Sequence, residues 1–158
     1  MPQQTNRNAL DLKQLGARSV LTEAQLVDPR SILEAFPNPA PHRDYQIQFV
    51  FPEFTSVCPV TSQPDFATIT VRYVPDERCV EMKSLKLYFF SYRNKGIFYE
   101  AVTNTILDDL VAVLRPRKMT VVGDFAVRGG TAGTVTVDYD AARDDPTTSR
   151  NGRRRLKR

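Results

Sequence analysis

The stretch Lys83-Ser84-Leu85-Lys86-Leu87-Tyr88-Phe89-Phe90-Ser91-Tyr92-Arg93 decides the fold class, and its pattern admits two readings. Leu85, Leu87 and Phe89 alternate as in a half-buried strand. Leu85, Tyr88, Phe89 and Tyr92 also fall at the i, i+3, i+4, i+7 spacing of an amphipathic helix. The helical reading is preferred, because Glu81, Lys83 and Lys86 then share one end and one side of the element.

Downstream, Asn94-Lys95-Gly96 breaks the pattern. A second helix is predicted from about Glu100 to Leu114, with Val102, Ile106, Leu110 and Leu114 on one stripe and Pro116 ending it. Thr120–Val127 and Thr134–Asp138 read as strands joined through Arg128-Gly129-Gly130. Upstream, Tyr45–Phe51 alternates and Ala67–Tyr73 is rich in β-branched residues, so both are expected to be strands. Pro52 to Asp65 is expected to be a loop. Residues 1–43 read as an arm with a helical candidate at Ser31–Ala35, followed by Pro37, Pro39 and Pro41. The expected organisation is an arm (1–43), one domain (44–140) and a basic tail (141–158). Two strands, two helices and two strands make an α+β layer, with helices on one face of an antiparallel sheet. Bare sheet edges favour assembly by edge pairing.

At 158 residues the chain has room for one core. No apolar run reaches the roughly 20 residues of a membrane helix, and the N-terminus lacks the apolar stretch of a secretory signal. Two cysteines, Cys58 and Cys79, make a thin disulfide framework, so a reduced, cytoplasmic setting is expected. Net charge is +4, but Gly152–Arg158 holds five of the 22 basic side chains, leaving 17 against 18 acidic ones. The body is therefore not a basic nucleic-acid binder. His42 is the one histidine, so a Ser-His-Asp triad or a zinc site has little to draw on, and no G-x-G-x-x-G or P-loop pattern is present.

Four segments carry candidate chemistry. Cys58 precedes Pro59 among Thr55, Ser56, Thr61 and Ser62, with Asp65 seven residues on. It is either an accessible thiol awaiting a lowered pKa, with Asp65 handling a proton, or a buried structural cysteine. Lys83 and Lys86 after Glu81 form either a phosphate grip or a solvated charged face. Arg128 before two glycines is either a phosphate contact or part of a turn. Phe98 before Tyr99 and Glu100 suits a flat heterocycle, stacked on the ring and hydrogen-bonded by the carboxylate. It also suits an ordinary helix start.

Together these segments resemble the NADPH-dependent 7-cyano-7-deazaguanine reductases of queuosine biosynthesis, the QueF nitrile reductases, over about residues 30–138. The resemblance rests on Glu53-Phe54-Thr55-Ser56, Cys58-Pro59-Val60-Thr61, Gln63-Pro64-Asp65-Phe66, Lys83-Ser84-Leu85-Lys86-Leu87-Tyr88, Arg93-Asn94 to Glu100, and Arg128-Gly129-Gly130. It implies a tunnelling fold (T-fold) of the short, single-module type, a homo-oligomer of stacked pentamers with sites between subunits. It further implies that Cys58 captures the nitrile as a thioimide and that Asp65 handles the proton. Glu100 and Phe98 would hold the base, and Glu81, Lys83, Ser84, Lys86 and Arg128 would hold NADPH, with no metal. The product would be 7-aminomethyl-7-deazaguanine, with no membrane or nucleic-acid partner. Two positions depart from the family pattern. Tyr99 stands where a histidine serves proton delivery, and Met82 stands where serine is common. Related alternatives are an amidine-forming transferase acting on the nitrile base in tRNA, and a non-catalytic purine- or pterin-binding T-fold protein.

Overall fold

The computed structural model describes residues 20–144 continuously and, before them, residues 12, 13, 16 and 18. The basic tail expected over 141–158 lies outside the described residues from 145 onward. In chain order the elements are α1 (Glu23–Val27), a 3-10 turn (Pro29–Ile32), β1 (Ala35–Pro37), β2 (Ile47–Val57), β3 (Pro64–Val74), β4 (Arg78–Val80), α2 (Met82–Phe90), α3 (Tyr99–Leu114), β5 (Lys118–Arg128), β6 (Thr131–Asp140) and α4 (Ala141–Asp144).

Helix wins over strand at α2 for two local reasons. The Glu81 carboxylate accepts hydrogen bonds from the backbone N–H groups of Lys83 (2.9 Å) and Ser84 (2.7 Å), which caps the helix. The helical spacing also collects Leu85, Tyr88, Phe89 and Tyr92 into the core, each at most 2% exposed. The Tyr88 hydroxyl donates to Asp109 Oδ2 at 2.8 Å and lies 2.9 Å from the Tyr92 hydroxyl, tying α2 to α3. On α3 the stripe Val102, Ile106, Leu110 and Leu114 is fully buried. Arg115, in the left-handed region at φ 47°, and then Pro116 end the helix.

The main sheet runs β2-β3-β5-β6, antiparallel throughout. Ala67, Ile69, Val71 and Tyr73 of β3 and Met119, Val121 and Phe125 of β5 are buried in the core shared with α2 and α3. Each fully buried side chain of this kind contributes on the order of 1.5–3 kcal/mol. Among the described residues, the outer strands β2 and β6, of 11 and 10 residues, each leave one edge without a partner strand, β2 being bridged there only at Val57.

Two expectations are corrected. Ser31–Ala35 is not a helix: the 3-10 turn ends at Ile32, and Ala35–Pro37 pairs with β4 in a second, two-stranded sheet. The Glu81 N–H to Glu34 carbonyl bond (2.8 Å) fastens this segment, and Ile32 is fully buried. Paired main chain and an anchored apolar side chain outweigh the weak helical pattern of so short a stretch. Residues 52–65 are not one loop either, since β2 continues to Val57 and β3 begins at Pro64. Pro52, which lacks an N–H, sits in the register shift between Phe51 and Phe54.

Candidate functional site

A six-residue turn, Cys58 to Gln63, joins β2 to β3. The Cys58 N–H donates to the Gln63 carbonyl (2.8 Å) and the Ser62 N–H to the Cys58 carbonyl (2.9 Å). Ser62 takes a left-handed conformation (φ 57°) to close the turn. The loop between α2 and α3 docks beside it: the Val57 N–H donates to the Lys95 carbonyl and the Ile97 N–H to the Val57 carbonyl, both at 3.1 Å. Gly96 permits this approach, because a Cβ there would stand 3.3 Å from Pro59 Cα. The docking delivers the start of α3, Phe98-Tyr99-Glu100, to the Cys58 turn.

The remaining groups come from the sheet. Asp65, opposite Ser56 in register near the start of β3, is 4% exposed. Its Oδ1 accepts from Arg128 Nη1 at 2.6 Å and from the Tyr99 hydroxyl at 3.0 Å. Arg128 closes β5 immediately before Gly129 and Gly130, both at positive φ as the tight return into β6 requires. The Tyr99 ring stacks on Phe125 of β5, with centroids 3.8 Å apart and planes 10° from parallel, which aims its hydroxyl. Cys58, Asp65, Phe98, Tyr99, Glu100 and Arg128 line one cavity of about 380 Å³, walled on the far side by Thr131–Gly133.

The electrostatics favour an ionised Cys58. The Cys58 thiol is brought down to about 6, first by the Thr61 hydroxyl, then by the backbone N–H groups of Thr61 and Val60 and by the Arg128 guanidinium, against partial burial. At neutral pH such a thiol is largely thiolate. Burial and the hydrogen bond to Asp65 push Tyr99 up, so its phenol remains a neutral donor. Arg128 is raised further by Cys58 and Asp65 and stays cationic. The Ser56 hydroxyl, fully buried across from Asp65, has no hydrogen-bond partner among the described residues.

Of the ten residues singled out in the sequence, six meet in this cavity, and Arg128 stands beside Cys58 and Asp65 rather than with the lysines. The other four belong to α2. Glu81 is occupied by its cap, and Ser84 is fully buried, its hydroxyl donating to the Glu81 carbonyl (2.8 Å) and accepting from the Glu34 N–H (3.0 Å). Lys83 is half-buried, and Lys86 is exposed on a groove of about 310 Å³ whose other walls include Phe51, Glu53, Thr55, Phe90 and Arg93. The sequence marked Thr61 only as a polar neighbour of Cys58; that its hydroxyl acts first on the sulfur comes from the turn, and its three-residue offset across a proline was the available signal. Sequence reasoning also had no means of seeing the Tyr99–Phe125 stack.

Residues 64–144 match the family described as QueF-like protein. The NADPH-dependent 7-cyano-7-deazaguanine reductase of Chlorobium chlorochromatii is 61% identical over 108 residues, covering 68% of this chain and 93% of the relative. The reductase of the same name from Anaeromyxobacter sp. strain K is 65% identical over 111 residues, covering 70% and 91%. Among solved structures, an apo archaeosine synthase QueF-Like superposes with a TM-score of 0.53 at 21% identity, over 60% of this chain and 90% of that one. At that identity the likeness speaks for the fold, which is the T-fold.

Proposed function

The chain belongs to the QueF-like protein family, and from that premise we propose that it reduces the nitrile of 7-cyano-7-deazaguanine to the aminomethyl group with NADPH. The single observation carrying the mechanism is the convergence of Cys58, Asp65, Tyr99 and Arg128 on one cavity that Glu100 and Phe98 also line.

The Cys58 sulfur attacks the nitrile carbon. A carbon–sulfur bond forms, one carbon–nitrogen π bond breaks, and the nitrogen takes a proton by way of Asp65, giving a thioimide. Covalent capture turns a poor hydride acceptor into a reactive C=N group. Tyr99, fixed on Phe125 and hydrogen-bonded to Asp65, holds the proton-handling carboxylate in place. Glu100 accepts hydrogen bonds from the ring N–H and amino groups of the base, and the exposed ring of Phe98 covers its face.

The α2 groove fits a dinucleotide phosphate in kind: Lys86 and Arg93 supply cations, and Phe51 and Phe90 supply flat apolar walls. On this reading Lys83 and Lys86 hold the phosphates, Arg128 reaches the cofactor from the cavity side, and Glu81 and Ser84 shape the start of the motif. NADPH, when bound, would supply two hydrides, one to the thioimide carbon and one to the imine left once the carbon–sulfur bond breaks and Cys58 departs as thiolate. The bare edges of β2 and β6 support closure into rings with sites between subunits, which we take to be stacked pentamers. A Cys58 nucleophile works only while reduced, which supports a reducing compartment, the cytoplasm, as its setting.

The test is to mix full-length protein with 7-cyano-7-deazaguanine, with and without NADPH. Cofactor absorbance should fall in the complete mixture, and intact mass should show a one-to-one adduct when NADPH is omitted. Cys58→Ala should abolish both. An adduct with no NADPH consumption would replace this reading with the transferase, and no adduct at all would leave a binding module.

A further inference from the structure

Arg128 occupies a place that a cofactor contact does not explain. Its Nη1 lies 2.6 Å from Asp65 Oδ1, and the Asp65 side chain is only 3% exposed, against 43% for the arginine. The carboxylate is thus held inside by two donors, one cationic and one a phenol. The same guanidinium lines the cavity that Cys58 lines, and the two groups shift each other, the thiol downward and the guanidinium upward. Among the described residues, the titratable and charged groups lining the Cys58 cavity are Asp65 from β3, Tyr99 and Glu100 from α3, and Arg128 from β5. Arg128 is the one permanent cation in that set.

We propose that Arg128 is a positioning residue of the nucleophile: its guanidinium bridges Asp65 and the Cys58 sulfur, keeping the sulfur ionised and the carboxylate aimed before any cofactor arrives. The glycine pair that follows allows β5 to end where its last side chain turns back into the cavity, while the Asp65 contact fixes one edge of the guanidinium. A residue that serves only to grip phosphate has no reason to be tied to a buried carboxylate in the uncomplexed chain. The role deepens the proposed function, but it is a property of the chain alone.

The deciding measurement therefore uses neither substrate nor cofactor. Iodoacetamide alkylation of Cys58 in the full chain is followed against pH by peptide mass, in wild type, Arg128→Gln, Arg128→Lys and Thr61→Val. Wild type should show an inflection near about 6. Arg128→Gln should move it upward by at least about half a unit and cut modification at pH 6 by at least about twofold. Its rate at pH 9 should stay within about twofold of wild type, as expected when the site is intact and only ionisation has changed. Arg128→Lys, a point charge without the fork, should fall between them. Thr61→Val, which removes the first donor to the sulfur, sets the size of shift the assay can read. An inflection unchanged in both Arg128 variants overturns the proposal, and if the KM for NADPH alone rises, Arg128 is a cofactor contact only. Loss of nitrile reduction with the alkylation result intact would sink the proposed function and leave this role standing.

Discussion

The nucleophile cavity and the α2 face carry sequence motifs of similar clarity, yet the fold treats them differently. At the cavity, side chains from the β2–β3 turn, β3, α3 and β5 meet, and Asp65 Oδ1 is already engaged by Arg128 and Tyr99. Along α2, Glu81 and Ser84 turn inward to build the helix start, while Lys86 faces an open groove beside the unpaired edge of β2. The first region is assembled within one chain; the second presents cations and awaits what completes it. Preorganisation is thus concentrated around Asp65 and Cys58, where the proposed proton transfer and sulfur attack need the closest positioning. A phosphate grip tolerates more freedom, because charge attraction falls off slowly with distance.

Four changes would break or sharpen that contrast. The largest effect is expected from Asp65→Asn, which keeps the shape of the cavity but removes the proton-handling group; turnover should fall by about 10²–10³-fold in a cofactor-oxidation assay. An effect under about threefold would place proton delivery elsewhere. Lys86→Gln should raise the KM for NADPH by about tenfold, roughly one exposed charge contact, while adduct formation without cofactor continues at the wild-type rate. A slowed adduct would show that the two regions are not separable.

Tyr99→His tests the departure from the family pattern. Burial and Asp65 raise the phenol, so residue 99 should contribute no ionisation to the wild-type pH–rate profile below pH 9. Histidine titrates near 6.5, so the variant should gain an extra limb between about pH 6 and 7, with activity lost as pH rises and the imidazolium deprotonates. Superimposable profiles would remove residue 99 from proton handling. The smallest effect belongs to Glu81→Ala. Loss of the α2 cap should cost about 1 kcal/mol, lowering the melting temperature by roughly 2–4 °C in circular dichroism, with the Cys58 alkylation profile unmoved. No change in melting would mean that the cap is dispensable.

Much of this contrast was legible in the residues. The stripe Val102, Ile106, Leu110, Leu114 predicted α3, and the 3.6-residue spacing of Leu85, Tyr88, Phe89 and Tyr92 predicted α2; both are buried as expected. The segment before Pro37 was misjudged, because its strand exists only through pairing with Arg78–Val80, some forty residues away. Long-range main-chain pairing leaves no periodic trace in so short a stretch.

By itself, then, the sequence determined the alternation of strands and helices, the presence of a cysteine–aspartate pair around a proline-stiffened turn, and the family. Local propensity and hydrophobic period are properties of neighbouring residues, so they can be read along the chain. Only the tertiary structure decided that Arg128 stands with Cys58 and Asp65, that Tyr99 is aimed by a ring on another element, and that Ser84 faces inward. Those outcomes depend on the docking of Val57 against Gly96 and on the antiparallel register of β3 with β5. They join residues as far apart as Asp65 and Arg128, 63 positions along the chain, a separation over which no local pattern carries information.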